Sequence, residues 1–107
     1  PITMKFQNVT AEATANIYYD GKIVSHKVTL ADETTKTLGV MFTGEYHLDT
    51  DQAERMDITQ GTCTVIIDGT DESTAYSAGQ HFNVGANSGF KINVDSDTCQ
   101  YVCSYID

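Results

Sequence analysis

The chain has 107 residues and carries 15 acidic against six basic side chains, a formal net charge of −9 at pH 7. This length corresponds to one domain, large enough to bury a core around a small cavity. The charge argues against nucleic-acid binding, because a phosphate backbone requires a basic surface that six scattered cations do not form. No run approaches the roughly 18 apolar residues of a membrane span, and the first residues lack a signal-peptide layout. We therefore expect a cytoplasmic protein that binds neither nucleic acid nor membrane.

Short runs of β-branched and aromatic residues fill most of the chain, and no segment has a convincing helical repeat. Residues 1–14 are polar and aperiodic, and we interpret them as an N-terminal tail or edge strand before a single domain over residues 15–107. Strands are predicted at 22–30, 35–42, 45–48, 55–59, 62–68, 82–84, 90–94 and 98–106. Turn-forming residues separate these runs, among them Asp20-Gly21, Asp68-Gly69 and Asp95-Ser96-Asp97.

Alternation within the strands predicts which side chains share a face. The three sets are Cys63, Val65 and Ile67; Phe90, Ile92 and Val94; and Tyr101, Cys103 and Tyr105. Many short antiparallel strands at this spacing indicate a sandwich or barrel. In an extended segment, cysteines four positions apart such as Cys99 and Cys103 are too distant for a disulfide, so we expect reduced core thiols.

A glutamate and a glycine separated by six residues, Glu54 and Gly61, resemble the end of the first cupin metal motif. The two histidine positions of that motif fall on Leu48 and Thr50, or on His47 and Asp49 with the longer spacing. Neither pair is a set that a soft or borderline metal prefers. In the second cupin motif Gly79 matches the glycine, but Gly85 occupies the proline position and Phe90 the histidine position. The patterns favour an all-β, single-domain, cupin-like jelly roll barrel with no metal.

A longer series of short motifs is similar to the small cupin family of pyrimidine/purine nucleoside phosphorylases. The matching segments are Asn16-Ile17-Tyr18-Tyr19-Asp20-Gly21, Thr37 to Met41, Gly44-Glu45-Tyr46, Thr50, Glu54-Arg55-Met56, Ala78-Gly79, Phe82-Asn83-Val84, Asn87-Ser88, Phe90 and Tyr101 to Tyr105. Two positions depart from the family pattern: Ser73 replaces a tryptophan and Gly85 replaces a proline.

The resemblance implies phosphorolysis of purine and pyrimidine nucleosides to free base and ribose 1-phosphate by a pentosyltransferase that uses phosphate as co-substrate and no cofactor. It also implies a homodimer. The transition state of such a reaction resembles an oxocarbenium ion, which a nearby carboxylate stabilises. A site that accepts both base classes cannot depend on hydrogen bonds to base edges, so its binding energy must come from ribose, phosphate and stacking.

Two catalytic residues are predicted, Glu54 and Tyr46. Tyr46 belongs to the matching segment Gly44-Glu45-Tyr46. Glu54 is favoured because a glutamate entering an apolar strand costs free energy unless it has a partner. The predicted substrate-binding residues are Thr50, Asn83, Ser88, Phe82, Phe90 and Tyr101. Each also has a structural interpretation: inward aromatic residues form cores, Thr50 can cap a turn, and Asn83 can end a strand. His26, His47 and His81 are expected at the surface.

The phosphate site stays open at this point. Lys36, Arg55 and Lys91 are available cations, and backbone amides with Thr or Ser hydroxyls are an alternative. Two other functions are also open. One is a noncatalytic cupin that binds a small metabolite, and the other is a metal-dependent cupin oxygenase or isomerase, for which His47, Asp49 and Glu54 are the plausible ligands.

Overall fold

The computed structural model describes residues 4–106, and its regular structure is almost entirely β-strand. The strands are β1 (Thr10–Ala11), β2 (Asn16–Tyr18), β3 (Ile23–Thr29), β4 (Thr35–Asp49), β5 (Ala53–Gln60), β6 (Thr62–Ile67), β7 (Ser73–Ser77), β8 (His81–Val84) and β9 (Gly89–Ile106). A single-turn 3₁₀ segment, Tyr19–Gly21, connects β2 to β3. Within the described residues no helix has the length and apolar character needed to cross a membrane. The predicted all-β fold is confirmed.

Two long strands, β4 and β9, form the centre of the sheet and pair antiparallel along most of their length. The order is β1-β3-β4-β9-β5-β8, with β2 also on β3, and with β6 joining β9 to β7. The C-terminal half of β9 pairs with β5, and its N-terminal half pairs with β6. The described strands thus form one continuous sheet that folds over its own core without closing into a barrel.

The long strands correct the sequence prediction at two places. The predicted strands 35–42 and 45–48 are one strand, β4, and the predicted strands 90–94 and 98–106 are one strand, β9. Asp95-Ser96-Asp97 is not a turn: Phe42 pairs with Thr98 and Gly44 with Val94, so three residues of β9 lie opposite Thr43. Turn residues in an extended chain are typical of a β-bulge, which bends the strand. The Thr43 hydroxyl donates to the Ser96 carbonyl at 2.7 Å across this bulge.

The remaining differences lie at sheet edges. The sequence does not predict β7, whose residues are mostly small and polar and which, among the described strands, pairs with β6 alone. It also does not predict β2, an exposed strand on β3. Residues 1–3 of the predicted N-terminal segment and residue 107 of the predicted domain lie outside the described residues. Within that segment, Thr10 and Ala11 pair with Thr29 and Val28 at the edge of β3.

The core lies between the two halves of the folded sheet. It contains the alternating residues predicted to share faces, including Val65, Ile92 and Val94, all at most 3% exposed. Three aromatic rings pack in series, with Tyr76 and Phe82 centroids 5.0 Å apart and Phe82 edge-on to Phe90 at 5.4 Å. This packing fixes the direction in which β5, β8 and β9 present their inward side chains.

All three cysteines are buried and unbridged, which confirms the prediction of reduced thiols. Cys63 donates a hydrogen bond to the sulfur of Cys99, and this bond, together with burial, raises the pKa of the Cys63 thiol. Cys63 is on β6 and Cys99 on β9, so the contact joins the two halves of the sheet through the core.

Candidate active site

A cavity of about 370 Å³ opens between β3, β4, β5 and β9. This volume is within the range of roughly 300–1,000 Å³ that small-molecule sites occupy. Its walls combine aromatic rings, aliphatic side chains and a few polar groups. The lining residues are Tyr18, Tyr19, Ile23, Ser25, Thr37, His47, Leu48, Asp49, Glu54, Met56, Phe90, Tyr101, Cys103 and Tyr105.

Glu54 is the carboxylate of the inner wall. It lies near the start of β5, between Val84 of β8 and Tyr105 of β9, and it is half-buried. Desolvation raises the pKa of the Glu54 carboxyl, a hydrogen bond from Cys103 lowers it, and the nearby Asp51 charge raises it again, for a net increase. A carboxylate with a raised pKa in a concave site is typical of functional positions.

The C-terminal half of β9 supplies the second wall. Tyr101, Cys103 and Tyr105 all line the cavity, so the predicted common face is confirmed. Tyr101 is only 7% exposed, and desolvation raises the pKa of its phenol even though the Ser25 hydroxyl donates to it. Burial is also the main cause that raises the pKa of Cys103 to about 12. Both groups therefore stay protonated at neutral pH and act as neutral donors.

Gly39 allows the Tyr101 ring to lie flat on β4. The two residues pair across the sheet, and a Cβ added at Gly39 would lie 2.2 Å from Cζ of Tyr101. No real Cβ contact is that short, so this position requires glycine. The glycine within the Thr37 to Met41 segment therefore has a physical basis in the packing of a cavity tyrosine.

The outer rim is formed by the turn before β3. Tyr19 and Asp20 adopt positive φ values of 52° and 55°, a conformation that costs roughly 1–3 kcal/mol for a residue with a side chain. The Tyr19 hydroxyl bonds to the His47 carbonyl, the His47 amide bonds to the same hydroxyl at 3.2 Å, and the ring packs 5.1 Å from that of Tyr46. These contacts hold Tyr19 across the edge of the cavity.

The same rim carries a cluster of charged side chains. His47 Nε2 lies 2.8 Å from an Asp68 carboxylate oxygen, and Nδ1 lies 3.7 Å from Asp49. All three are exposed, as expected for His47, His26 and His81. Among residues 4–106, this is the one group of three possible metal ligands whose atoms lie within 4.8 Å of one another. Glu54 is not part of it, so the alternative set of His47, Asp49 and Glu54 is not assembled as a compact ligand group.

Tyr46, predicted as catalytic, is buried but does not line the cavity. Its hydroxyl donates to the Phe42 carbonyl at 2.6 Å and to the Thr43 carbonyl at 3.3 Å. Its side chain therefore supports the part of β4 that lies opposite the β9 bulge, and its ring packs against that of Tyr19. The structure gives it a position from which it can affect the rim without touching a ligand.

Thr50 and Ser88 form a link between two loops beside the cavity. The Thr50 hydroxyl donates to the Gly85 carbonyl at 2.6 Å and accepts from the Ser88 amide at 3.0 Å. Thr50 is 4% exposed, and the backbone of the two residues also pairs. These bonds fix the 85–88 loop relative to the end of β4.

The three other predicted residues are divided between surface and interior. Asn83 is exposed on the outer side of β8 and pairs with Arg55. Phe82 is buried between Tyr76 and Phe90 and does not line the cavity. Phe90 does line it and is 1% exposed. Of the predicted set, Glu54, Phe90 and Tyr101 come together at the cavity.

Several polar residues that line the cavity are not predicted as substrate-binding from the sequence: Tyr18, Ser25, Thr37, Asp49 and Tyr105. Tyr105 could have been found, because it shares a face with Tyr101. Thr37 could have been found as well, since it opens the motif that contains Gly39. Ser25 gave no signal in the sequence, because its role depends on the register of β3 against β4, which pairs it with Gly39 and so brings it under Tyr101.

The electrostatics of the cavity are acidic. Asp49 and Glu54 line it, Asp68 lies at the rim, and none of the six Lys and Arg side chains, all within the described residues, is in its wall. Lys36 bonds to Ser104 at 2.6 Å, and Arg55 pairs with Asp57 at 3.1 Å. Donors inside the cavity are therefore neutral hydroxyl, thiol and phenol groups.

Comparison with known proteins gives the relationships of the chain. Residues 13–105 match the family model for pyrimidine/purine nucleoside phosphorylase. A protein of that name from Hydrogenovibrio crunogenus is 47% identical over 103 residues, which cover 96% of this chain and 98% of the relative. A second, from Cupriavidus metallidurans, is 48% identical over 94% of this chain and 97% of its own length.

Solved structures agree with this relationship. A crystal structure of a protein of unknown function from Acinetobacter sp. ADP1 is 39% identical and superposes with a TM-score of 0.92 over 95% of this chain and 98% of that one. The cupin domain of Schizosaccharomyces pombe Cnp3, at 13% identity and a TM-score of 0.62, covers 85% of this chain and 69% of that chain and confirms the cupin-like fold alone. The chain belongs to the pyrimidine/purine nucleoside phosphorylase family.

Proposed function

We propose that this protein is a nucleoside phosphorylase that cleaves purine and pyrimidine nucleosides with inorganic phosphate, releasing the free base and ribose 1-phosphate. In reaction class it is a pentosyltransferase. The observation that carries the proposal is the half-buried Glu54 carboxylate at the inner wall of an aromatic cavity, in a chain of this family. The cavity has the volume for one small molecule, and Glu54 is the half-buried one of the two carboxylates, Asp49 and Glu54, that line it.

Glu54 is proposed to stabilise the positive charge that develops on the ribosyl ring as the bond to the base breaks. A preorganised charge acts strongly in a site that excludes water, because it requires no reorganisation during the reaction. Neutral donors on β4 and β9, namely Thr37, Tyr101 and Tyr105, are proposed to bind the ribose hydroxyls. These contacts involve only the sugar, which is why both base classes are accepted.

Stacking is proposed to hold the base. Phe90 forms the floor, and Tyr18 lies at the exposed rim, 50% accessible. Aromatic faces bind purine and pyrimidine rings without reading their edges, with roughly 1–3 kcal/mol for each stacked base. Tyr46 and Thr50 are proposed to contribute by fixing the rim and the 85–88 loop, which includes Ser88.

Phosphate is proposed to bind through neutral donors. Because no Lys or Arg of the described chain is among the cavity-lining residues, hydroxyl groups and backbone amides near the mouth are proposed to hold the anion. The acidic surroundings weaken anion binding, and we expect a high KM for phosphate that falls as ionic strength rises. No metal or organic cofactor is part of this mechanism.

We further propose that the enzyme is cytoplasmic and a homodimer, without nucleic-acid or membrane partners. The exposed apolar side chains of the β2 edge, Ile17 and Tyr18, support self-association, since large exposed hydrophobic residues together often mark an interface. Sedimentation of the purified protein measures the oligomeric state directly.

The experiment that tests the function is incubation with inosine and with uridine, each with and without phosphate, followed by chromatography of the bases. Phosphate-dependent release of hypoxanthine and uracil is expected. A protein that binds nucleosides without releasing base would instead be the noncatalytic cupin, and activity on other substrates that depends on one stoichiometric metal would indicate the oxygenase or isomerase.

A further inference from the structure

The thiol of Cys103 connects polar groups on three strands inside the cavity. Cys103 of β9 pairs with Thr37 of β4 on one side and with Met56 of β5 on the other. Glu54 is two residues before Met56, so it lies diagonally across from Cys103 on the same face of the sheet. Diagonal neighbours in antiparallel strands are close enough for side-chain contact.

The hydrogen bonds at this point have a direction. Burial raises the pKa of Cys103 and its hydrogen bond with Glu54 adds to that increase, whereas the same bond lowers the pKa of Glu54; these signs are those of a thiol that donates to a carboxylate. The hydrogen bond with Thr37 lowers the pKa of Cys103, as expected for a hydroxyl that donates to the sulfur. A hydrogen bond with Thr37 also acts on the Tyr105 phenol, where it lowers a pKa that burial raises. Cys103 is 4% exposed and unbridged, so neither water nor a disulfide partner competes for its thiol hydrogen.

We propose that Cys103 is the positioning residue of Glu54: its thiol hydrogen fixes the carboxylate against the β9 wall in the orientation that faces the sugar, and Thr37 fixes the thiol. This inference rests on the proposed function for the role of Glu54 in catalysis, and on the contacts alone for the coupling of the two side chains. A group that stays protonated is a constant donor. Because burial keeps the pKa of Cys103 at about 12, the thiol is not a nucleophile at neutral pH.

The effect on Glu54 has a definite sign. A hydrogen bond donated to a carboxylate favours its charged form, so removing the donor raises the pKa of Glu54 further. If the reaction requires the ionised carboxylate, activity on acidification is then lost at a higher pH than in the wild type. The titratable groups that surround this pair are Asp51 from the turn before β5; Lys36, His47 and Asp49 from β4; Tyr101 and Tyr105 from β9; and Tyr18 and Tyr19 from the rim.

The test compares Cys103→Ala, which removes the donor, with Cys103→Ser, which retains one. Cys63→Ala is the matched control, because it removes an equally buried thiol that does not line the cavity. Should the alanine variant not fold, Cys103→Val removes the donor while filling the space. The carboxyl carbon of Glu54 is followed by ¹³C NMR across a pH titration, which requires no activity.

We expect Glu54 to titrate at higher pH in Cys103→Ala than in the wild type, with Cys103→Ser and Cys63→Ala unchanged. An unchanged titration in Cys103→Ala would overturn the coupling. In parallel, kcat for uridine should fall about tenfold in Cys103→Ala with KM within about twofold, and the acid limb of kcat/KM should move to higher pH.

Different results would contradict the positioning role of Cys103 and the proposed phosphorolysis. A shifted titration with unaltered kinetics in Cys103→Ala would overturn the positioning role while leaving phosphorolysis in place. A wild type without phosphorolysis would remove the proposed function, and the NMR titration would still decide whether Cys103 holds Glu54. Loss of activity in Cys103→Ser equal to that in Cys103→Ala would indicate a packing role and contradict the proposal.

Discussion

Replacing Glu54 by Gln removes one negative charge from the cavity and keeps the volume and most hydrogen bonds. At an effective dielectric constant of about 20, unit charges about 5 Å apart interact by roughly 3 kcal/mol. Glu54 is half-buried, so this value, and not the larger one for a dry interior, is appropriate. A loss of roughly 3 kcal/mol of transition-state stabilisation corresponds to about 10²-fold in kcat.

The kinetic pattern distinguishes the roles that Glu54 can have. If the carboxylate stabilises charge that exists only in the transition state, kcat falls and KM changes little. Equal binding of the ribose in ground and transition states would raise KM and leave kcat intact. Inosine and uridine should be affected alike, because the contact is to the sugar, and a large loss for only one base class would refute the sugar-centred assignment. Glu45→Gln, the same change on an exposed residue of β4, is the matched control.

The same variant makes a prediction about stability. Since burial raises the pKa of Glu54, its ionised form is disfavoured in the folded state. The free energy of unfolding is therefore greatest below the ordinary carboxyl pKa and decreases as pH rises through the raised value. Glu54→Gln should keep or increase Tm at pH 7 while losing activity, and a clear fall in Tm with normal kinetics would show a structural role.

Three other predictions concern the cavity walls, the loop and metal dependence. Gly39→Ala forces the Tyr101 ring away, which should cost about 1–3 kcal/mol of unfolding free energy and most of the activity. Gly85→Ala is the control, because a Cβ at that position has open space around it, and its Tm should change little. Equal effects of the two substitutions would contradict the packing argument. Thr50→Val leaves the Gly85 carbonyl and the Ser88 amide without their partner, so denaturant unfolding should show a loss of about 1–3 kcal/mol, and an unchanged midpoint would argue against the loop link. Extensively chelated enzyme should retain full phosphorolysis, because no proposed step uses a Lewis acid; loss on chelation that one stoichiometric metal restores would revive a metal-dependent mechanism.

The inner wall could be predicted from the sequence because period-two alternation is a local property. Tyr101 and Phe90 were placed on inward faces by their neighbours of the same parity, and Glu54 by its entry into an apolar strand. Short-range patterns of this kind require no knowledge of which strand lies next to which.

The rim and the hydroxyl donors could not be predicted in the same way. Tyr19 reaches His47 only because three consecutive residues take positive φ values, and Ser25 faces Tyr101 only through the register of β3 on β4. Both depend on contacts between distant parts of the chain. For a related reason the sequence predicts a turn at Asp95-Ser96-Asp97 where the structure has a bulge: turn residues and bulge residues share the same local preferences.

Tyr46 lies in a matching motif but does not line the cavity. A motif identifies a position that matters but does not distinguish a side chain that contacts substrate from one that supports the backbone beside it. Here the hydroxyl of Tyr46 is bonded to the Phe42 and Thr43 carbonyls. Tyr46→Phe separates the two roles, because it removes these bonds and leaves the ring under Tyr19.

The central claim is that phosphate, and not water, attacks the sugar within the cavity. ³¹P NMR of one mixture containing the protein, uridine and phosphate measures this directly, with uracil followed in the same sample by absorbance. We predict that inorganic phosphate is converted to ribose 1-phosphate in equal amount to the uracil released, and that Glu54→Gln slows both signals about 10²-fold. Uracil release without a new phosphate ester, at a rate independent of phosphate concentration, would contradict the account and show a hydrolase.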